Sequence, residues 1–182
     1  MNFRDTPIEG LFVIEPRVFN DERGYFFESY KKAEFRKAIG DVDFVQDNES
    51  LSQQGTLRGL HYQASPFAQA KLVRVSYGEA FDVAVDLRPG SKTLGQHFAI
   101  HLSMENKRQL FIPKGFAHGF LALSETVIFS YKVDAPYSKE HERGIRYDDS
   151  QLDIPWPLKN GKPIVSVRDR NWPGLSAVIA SP

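Results

Sequence analysis

Residues 71–90 read KLVRVSYGEAFDVAVDLRPG, two runs of alternating apolar residues separated by one turn residue, Gly78. Valine and aromatic residues favour strands, and glycine and proline favour the turns that end them. Similar runs follow at a spacing of roughly 8–14 residues, among them HFAIHLS (97–103), QLFIPKG (109–115) and TVIFSYKV (126–133). Only KKAEFRKAI (31–39) has a helical pattern. The sequence therefore predicts an all-β fold, a jelly-roll sandwich or β-barrel with a few short helices.

The composition is that of one ordinary globular domain. Lysine plus arginine and aspartate plus glutamate number 23 each among 182 residues, so the formal net charge is zero. This balance predicts neither a nucleic-acid nor a membrane partner. Cysteine is absent, which excludes thiol nucleophiles, disulfides and zinc–thiolate sites. We expect a single cytoplasmic domain over 1–182, with a mostly irregular C-terminal arm over about 138–182.

The alternation of side chains along the predicted strands sorts the five histidines. His97 and His101 lie on the polar face of their run, and His141 lies in the charged stretch SKEHERG, so we expect these three at the surface. His61 and His118 remain as candidate functional residues.

The same alternation places two polar residues on apolar faces. Lys71 shares a face with Val73 and Val75, and Tyr131 shares one with Phe129 and its neighbours. A buried tyrosine needs only one hydrogen-bond partner, whereas a buried ammonium is costly unless it is paired or loses its proton. Two readings of Lys71 stay open: a buried functional amine, or a strand-end lysine that reaches solvent.

His61 and Arg58 lie on opposite faces of a regular strand in the stretch TLRGLHYQ (56–63). They can reach one ligand only if the strand bends or bulges between them, and Gly59 is the residue that permits it. We therefore predict an irregularity at Gly59.

The stretch FIPKGFAHGF (111–120) contains P-x-G-x-x-H, which resembles the second motif of the cupin superfamily, where this histidine often binds a metal. The earlier cupin motif normally supplies two histidines and a glutamate. Here His61 is followed by Tyr62 and Gln63, and Gln69, Ala70 and Lys71 stand where a glutamate is expected. Two histidines without a third ligand make a poor metal site. We expect no metal, and a pocket of acid–base groups instead.

A histidine, a lysine and a tyrosine around one pocket suit proton abstraction next to a carbonyl. Histidine can take the proton, a lysine ammonium can stabilise the enolate oxygen, and a tyrosine on the far side can return a proton with inversion. A carboxylate commonly fixes the tautomer of such a histidine, and Asp169 in SVRDRN is the candidate.

An anionic ligand could be held by arginine. Arg23, Arg58 and Arg168 are candidates for a diphosphate clamp, and Phe26 and Tyr137 for stacking on a base. The chain contains neither a P-loop nor a G-x-G-x-x-G motif.

Over almost its whole length the chain resembles the dTDP-4-dehydrorhamnose 3,5-epimerases, which are metal-free cupin enzymes. The resembling blocks are ERGYFFESY (22–30), FVQDNES (44–50), TLRGLHYQ (56–63), AKLVRVSYGEAFDVAVDLRPGS (70–91), FIPKGFAHGFLALSE (111–125) and YKVDAPYSKEHERGIRYDD (131–149). The resemblance implies a cofactor-independent epimerisation of a dTDP-4-keto sugar at C3 and C5, with no metal and no cofactor.

The resemblance also implies roles for individual residues. The base matches His61, the enolate-stabilising lysine Lys71, the acid Tyr131 and the orienting carboxylate Asp169. The implied contacts to nucleotide or sugar are Arg23, Phe26, Glu28, Gln46, Asp47, Asn48, Arg58, His118, Tyr137, Glu142 and Arg168. A homodimer that exchanges N-terminal strands is implied as well.

The chain departs from the common family pattern at Glu49 and at Leu51–Ser52, where many members have a histidine and a basic residue, and at Arg168, where many have lysine. These positions bear on diphosphate affinity rather than on the four catalytic positions. The alternatives are a single-centre epimerase or a ketoisomerase on a related dTDP-4-keto sugar, a sugar-nucleotide-binding module without catalysis, and a metal-dependent cupin oxygenase.

Overall fold

The computed structural model describes residues 1–159 and 161–180. In these residues thirteen strands dominate the fold, in chain order β1 (Asn2–Asp5), β2 (Phe12–Glu15), β3 (Val18–Asp21), β4 (Gly24–Phe27), β5 (Gln46–Gln53), β6 (Leu57–Gln63), β7 (Lys71–Tyr77), β8 (Glu79–Asp86), β9 (His97–Ser103), β10 (Gln109–Ile112), β11 (Phe116–Ala122), β12 (Thr126–Val133) and β13 (Glu142–Gly144). The helices are α1 (Lys32–Ala38), α2 (Val167–Arg170) and α3 (Leu175–Ile179), with one 3₁₀ turn over Lys139–His141.

The strands form two large sheets and one hairpin. A six-stranded sheet has the order β1-β2-β10-β7-β12-β5, and a five-stranded sheet has the order β13-β6-β11-β8-β9. Strands β3 and β4 pair with each other as a separate hairpin. The two sheets face each other without closing into one continuous barrel, which is the open form of the predicted jelly roll.

The alternation of apolar and polar side chains along the strands places the apolar ones in the core, as the sequence predicts. Val73 and Val75 of one sheet and Ala84 and Phe120 of the other belong to one buried cluster, so this cluster lies between the sheets. The outer face of the five-stranded sheet packs against the C-terminal arm. The outer face of the six-stranded sheet packs against Phe35 of α1.

The strands expected from residues 71–133 and the helix expected over 31–39 are confirmed. The tight turn between β7 and β8 also has the expected residue: Gly78 has a φ of 79°, and a Cβ there would lie 2.2 Å from the carbonyl oxygen of Thr126. Strands β1, β2, β3 and β5 have weaker alternation and were not predicted. The C-terminal arm is irregular as expected, but β13 joins the five-stranded sheet beside β6 and α2 contacts that strand.

No helix in the described part of the chain is both long and apolar enough to cross a membrane.

Candidate active site

Strand β6 has a bulge at Gly59, as predicted. His61 pairs with His118 and Arg58 pairs with Phe120, so two residues of β6, Gly59 and Leu60, lie opposite Gly119 alone. Gly59 has a φ of 127°, and a Cβ there would lie 2.5 Å from the Cα of Gly119. The extra residue turns Arg58 and His61 to the same side of the sheet.

That side opens into a cavity of about 450 Å³. Five of the polar residues singled out from the sequence line it together, although they come from five different elements: His61, Lys71, His118, Tyr131 and Asp169. Apolar residues such as Phe129 complete its wall, and Arg58, Glu142 and Arg168 also line it. The cavity has the mixed lining typical of a small-molecule site.

His61 and Asp169 form a close pair, in which Nε2 of His61 lies 2.7 Å from Oδ1 of Asp169. Because a carboxylate only accepts, His61 donates from Nε2 and Nδ1 keeps the lone pair. Helix α2 begins at Ser166, whose hydroxyl accepts a hydrogen bond from the backbone N–H of Asp169 at 3.0 Å. The N-terminal cap of this short helix therefore holds Asp169 in place, and Asp169 in turn orients the imidazole of His61.

The carboxylate of Asp169 accepts two further hydrogen bonds, from the backbone N–H of Gly59 at 3.4 Å and from Nε1 of Trp172 at 3.3 Å. Burial alone would raise the pKa of Asp169, but the hydrogen bonds from His61, Gly59 and Trp172 outweigh burial and lower this pKa below its ordinary value. Asp169 is therefore ionised near neutral pH and stabilises a positive charge on His61.

Lys71 is only 8% exposed, so the reading in which it reaches solvent is wrong. Burial lowers the pKa of Lys71 to about 8, although the negative charges of Asp82 and Glu142 oppose this effect. Tyr131 is affected in the opposite direction: burial raises the pKa of its hydroxyl, so the phenol keeps its proton near neutral pH. The cavity thus contains a lysine poised to titrate and a protonated tyrosine.

His118 lies beside His61 on the neighbouring strand and has a carboxylate of its own. Its Nε2 donates to Oδ2 of Asp82 at 2.8 Å, and its ring packs against Phe129. Asp82 is fully buried. Two histidines on adjacent strands thus each direct one ring nitrogen at a carboxylate from another element.

Charged side chains from the five-stranded sheet and from α2 meet at the mouth of the cavity. Arg58 donates to the hydroxyl of Ser52 at 3.0 Å and lies on the cavity wall. Glu142 accepts hydrogen bonds from Arg168 and, at 2.9 Å, from the hydroxyl of Tyr137. The ring of Tyr137 is exposed. Two guanidinium groups and an exposed aromatic ring thus border one opening.

Other residues implied by the family resemblance lie farther from this cavity. Gln46 and Asn48 are hydrogen-bonded to each other on β5, and Gln46 also accepts from the backbone N–H of Tyr137 at 3.4 Å. Asp47 points the other way and pairs with Lys132. Asp47 and Asn48 line a neighbouring depression rather than the cavity itself.

Arg23, Phe26 and Glu28 lie in or just after the β3–β4 hairpin and do not line the cavity of their own chain. Arg23 pairs with Asp21, Glu28 pairs with Lys31, and the ring of Phe26 is 64% exposed. Of the histidines expected at the surface, His101 is exposed, whereas His97 and His141 are half-buried outside the cavity.

Sequence reasoning missed Asp82 and Trp172. A signal for Asp82 was present, because in EAFDVAVD it shares a face with Ala80 and Ala84 and is therefore an acid on an apolar face. Trp172 gave no such signal. Its ring packs against Gly144, where a Cβ would lie 2.6 Å from the indole, so a glycine on β13 makes room for the hydrogen bond to Asp169.

Among residues 1–159 and 161–180, no group of three or more histidine, cysteine, aspartate or glutamate side chains is arranged to hold a metal ion. In the cavity, His61 and His118 each direct one ring nitrogen at a carboxylate. What the arrangement offers chemically is a base of fixed tautomer, a buried cation and a protonated phenol.

A cupin-type sandwich with these groups around one cavity has the arrangement of an epimerase that works by proton transfer next to a carbonyl. The comparisons with known proteins specify which one. The family model described as dTDP-4-dehydrorhamnose 3,5-epimerase matches residues 5–177, and the chain belongs to that family.

Individual relatives agree with this assignment. The dTDP-4-dehydrorhamnose 3,5-epimerase of Shigella flexneri is 52% identical over 172 residues, which cover 94% of each chain. The crystal structure of the dTDP-6-deoxy-D-glucose-3,5-epimerase of Legionella pneumophila, in complex with dTDP-4-keto-L-rhamnose, is 49% identical with a TM-score of 0.94, and the match covers 98% of this chain and 95% of that one. A 3'-monoepimerase from Streptomyces bikiniensis in complex with dTDP-quinovose is more distant, at 33% identity and a TM-score of 0.89, over 94% of this chain and 86% of that one.

Proposed function

We propose that the protein converts dTDP-4-dehydro-6-deoxy-D-glucose to dTDP-4-dehydro-L-rhamnose by inverting C3 and C5, a step of dTDP-L-rhamnose biosynthesis in the cytoplasm. The observation that supports this best is the single cavity lined by His61, Lys71 and Tyr131, with Asp169 bonded to His61. Family membership supplies the substrate class.

The reaction uses the acidity that the C4 ketone gives to the hydrogens at C3 and C5. Nδ1 of His61 removes one of these hydrogens as a proton, and the electron pair moves onto the ketone oxygen as an enolate. The ammonium of Lys71 stabilises that oxygen. Tyr131 then protonates the carbon from the opposite face, which inverts it.

After one inversion His61 has gained a proton and Tyr131 has lost one. Both groups must exchange with water before the second carbon reacts, so the two inversions are separate rounds of the same chemistry. The ketone itself accepts the electron pair transiently, and the reaction involves no net oxidation or reduction. The electron balance of the reaction therefore requires no cofactor.

The nucleotide is held at the mouth of the cavity in this proposal. Arg58 and Arg168 bind the diphosphate, Tyr137 stacks on thymine, and His118 and Glu142 contact the sugar. Gln46, Asp47 and Asn48 contact the nucleotide from β5.

We further propose that the protein acts as a homodimer in which the β3–β4 hairpin reaches the cavity of the other subunit. The hairpin pairs only with itself among the described strands, and the rings of Phe19, Tyr25 and Phe26 are exposed on it. Arg23, Phe26 and Glu28 would then complete the neighbouring site.

The deciding experiment follows C3 and C5 by NMR while the protein acts on dTDP-4-dehydro-6-deoxy-D-glucose in heavy water. We expect deuterium at both carbons and a product that a downstream reductase converts to the rhamnose nucleotide. Deuterium and inversion at one carbon only would instead establish a single-centre epimerase, and movement of the ketone an isomerase. Binding without exchange at either carbon would leave a sugar-nucleotide-binding module.

The buried Lys71 predicts a pH dependence. Only its ammonium form stabilises an enolate, and its pKa is about 8, so kcat/KM should fall as the pH rises through that value. The measurement is kcat/KM over a pH series, with thermal unfolding recorded at each pH to show that the fold persists. A profile that stays flat well above this pKa would remove Lys71 from the proposed role.

A further inference from the structure

We propose that Asp82 is a positioning residue of this site: its carboxylate is the fixed counter-charge that keeps the Lys71 ammonium protonated while leaving it free to meet the substrate. This inference rests on the proposed function, because it assigns Asp82 a role through Lys71. Neither residue pattern nor family resemblance had singled out Asp82.

The first observation is the location of the carboxylate. Asp82 lies in the middle of β8 between Ala80 and Ala84, whose side chains belong to the core between the sheets, and it is 0% exposed. A charge buried at such a position is destabilising unless a cation or a set of hydrogen bonds compensates it. An acid there is costly for the fold, which favours a functional reason for its presence.

The second observation is that only one of the two carboxylate oxygens of Asp82 has a hydrogen-bond partner. Oδ2 accepts a hydrogen bond from His118, whereas Oδ1 is buried and has no hydrogen-bond partner among the residues that the structure describes. His118 therefore fixes the orientation of the carboxylate and leaves one oxygen uncompensated. Such an oxygen acts on its surroundings through its charge rather than through a contact.

The third observation is the cation on which this charge acts. Lys71 on β7 and Asp82 on β8 alternate with residues of the same core cluster, so both face the space between the sheets, and no ion pair joins them within the described residues. The negative charge of Asp82 opposes the effect of burial on the pKa of Lys71 more than that of Glu142 does. The carboxylate of Glu142 is already engaged by Arg168 and Tyr137. The other ionisable groups that share the cavity with Lys71 are His61, His118, Tyr131 and Asp169, with the guanidinium groups of Arg58 and Arg168.

The proposed reaction needs a negative charge near the Lys71 ammonium that does not form an ion pair with it. A direct ion pair would keep Lys71 charged but would occupy the ammonium hydrogens that the enolate oxygen must receive. An apolar residue at position 82 would leave those hydrogens free but would let burial remove the proton. A carboxylate held at a distance by His118 meets both requirements.

The test is Asp82→Asn, which keeps the shape of the side chain and its ability to accept from His118 but removes the charge. Reactivity of the Lys71 amine is measured by acetylation with acetic anhydride across a pH series, followed by mass spectrometry of the peptide that contains Lys71. Only the neutral amine reacts, so the midpoint of the curve reports its ionisation without reference to turnover. We expect the midpoint to move down by about one pH unit relative to the wild type.

Glu79→Gln is the matched control. Glu79 lies on the same strand on the opposite face and forms a third histidine–carboxylate pair, with His101, outside the cavity. This variant should leave both the Lys71 midpoint and turnover unchanged. If Asp82→Asn yields no folded protein, Asp82→Ser, which makes room for a water in place of the carboxylate, is measured in the same way.

Kinetics separate this inference from the proposed function. In Asp82→Asn the fall of kcat/KM with pH should begin about one unit earlier, so the loss is small at acidic pH and about tenfold above the wild-type midpoint. An unchanged labelling midpoint would overturn the role of Asp82 and leave the proposed reaction intact. A midpoint that shifts without a matching shift in kcat/KM would support Asp82 as the counter-charge and refute the role of Lys71 in the reaction.

Discussion

His61→Asn should reduce kcat by about 10³-fold, because a general base typically contributes between about 10² and 10⁴ to a rate. Asparagine is polar and smaller than histidine, and its amide offers no basic nitrogen where Nδ1 stood. The measurement is single-turnover product formation with dTDP-4-dehydro-6-deoxy-D-glucose. Deuterium exchange at C3 and C5 should be lost in parallel, because both carbons depend on the same base.

The control for this variant is His101→Asn, which changes the exposed partner of Glu79 outside the cavity and should leave turnover unchanged. Binding of dTDP by His61→Asn, followed by calorimetry, should stay within a few-fold of wild type, since the proposed nucleotide contacts are untouched. Wild-type exchange in a folded His61→Asn protein would show that another residue removes the proton.

The features that sequence could predict are those set by the local alternation of side chains. Lys71 shares its face with two valines whatever the rest of the chain does, so alternation identifies it as a candidate for burial. Only the packing of the two sheets decides between a buried amine and one that reaches solvent. The bulge at Gly59 follows from a similar argument, since Arg58 and His61 need an extra residue between them to face one cavity.

Contacts between distant parts of the chain could not be predicted in this way. Asp169 and His61 are 108 positions apart, and only the path of the irregular C-terminal arm brings them together. Asp169 could be named only as a candidate for the carboxylate that orients the histidine, a role that the family resemblance also implies. Trp172, which matters only because Gly144 opens a space beside β6, could not be named at all.

The electrostatics of the site likewise arise from packing rather than from the order of residues. Burial acts on Lys71 and Tyr131 in opposite senses, because it disfavours the charged form of each: it lowers the pKa of the ammonium and raises that of the phenol. Hydrogen bonds reverse the same effect at Asp169. One cavity thereby holds an acid, a cation and an orienting carboxylate in the forms that an enolate mechanism needs.

Tyr131→Phe should separate the two halves of that mechanism. The variant keeps the ring that packs against the core but loses the hydroxyl that protonates the carbon. Proton removal by His61 remains possible, and in heavy water His61 can return a deuteron to the face from which it took the proton. We expect recovered substrate to gain deuterium at C3 and C5 while formation of the inverted product falls by about 10²-fold.

The ratio of exchange to inversion, measured by NMR in one sample, is the informative quantity, because general damage to the site would lower both rates together. Tyr147→Phe, a tyrosine outside the cavity, should leave the ratio at its wild-type value. If Tyr131→Phe inverts both carbons at the normal rate, a water or another side chain must be the acid. If exchange and inversion fall equally, the loss lies at or before proton removal, and the assignment of Tyr131 as the acid of the inversion step alone is refuted.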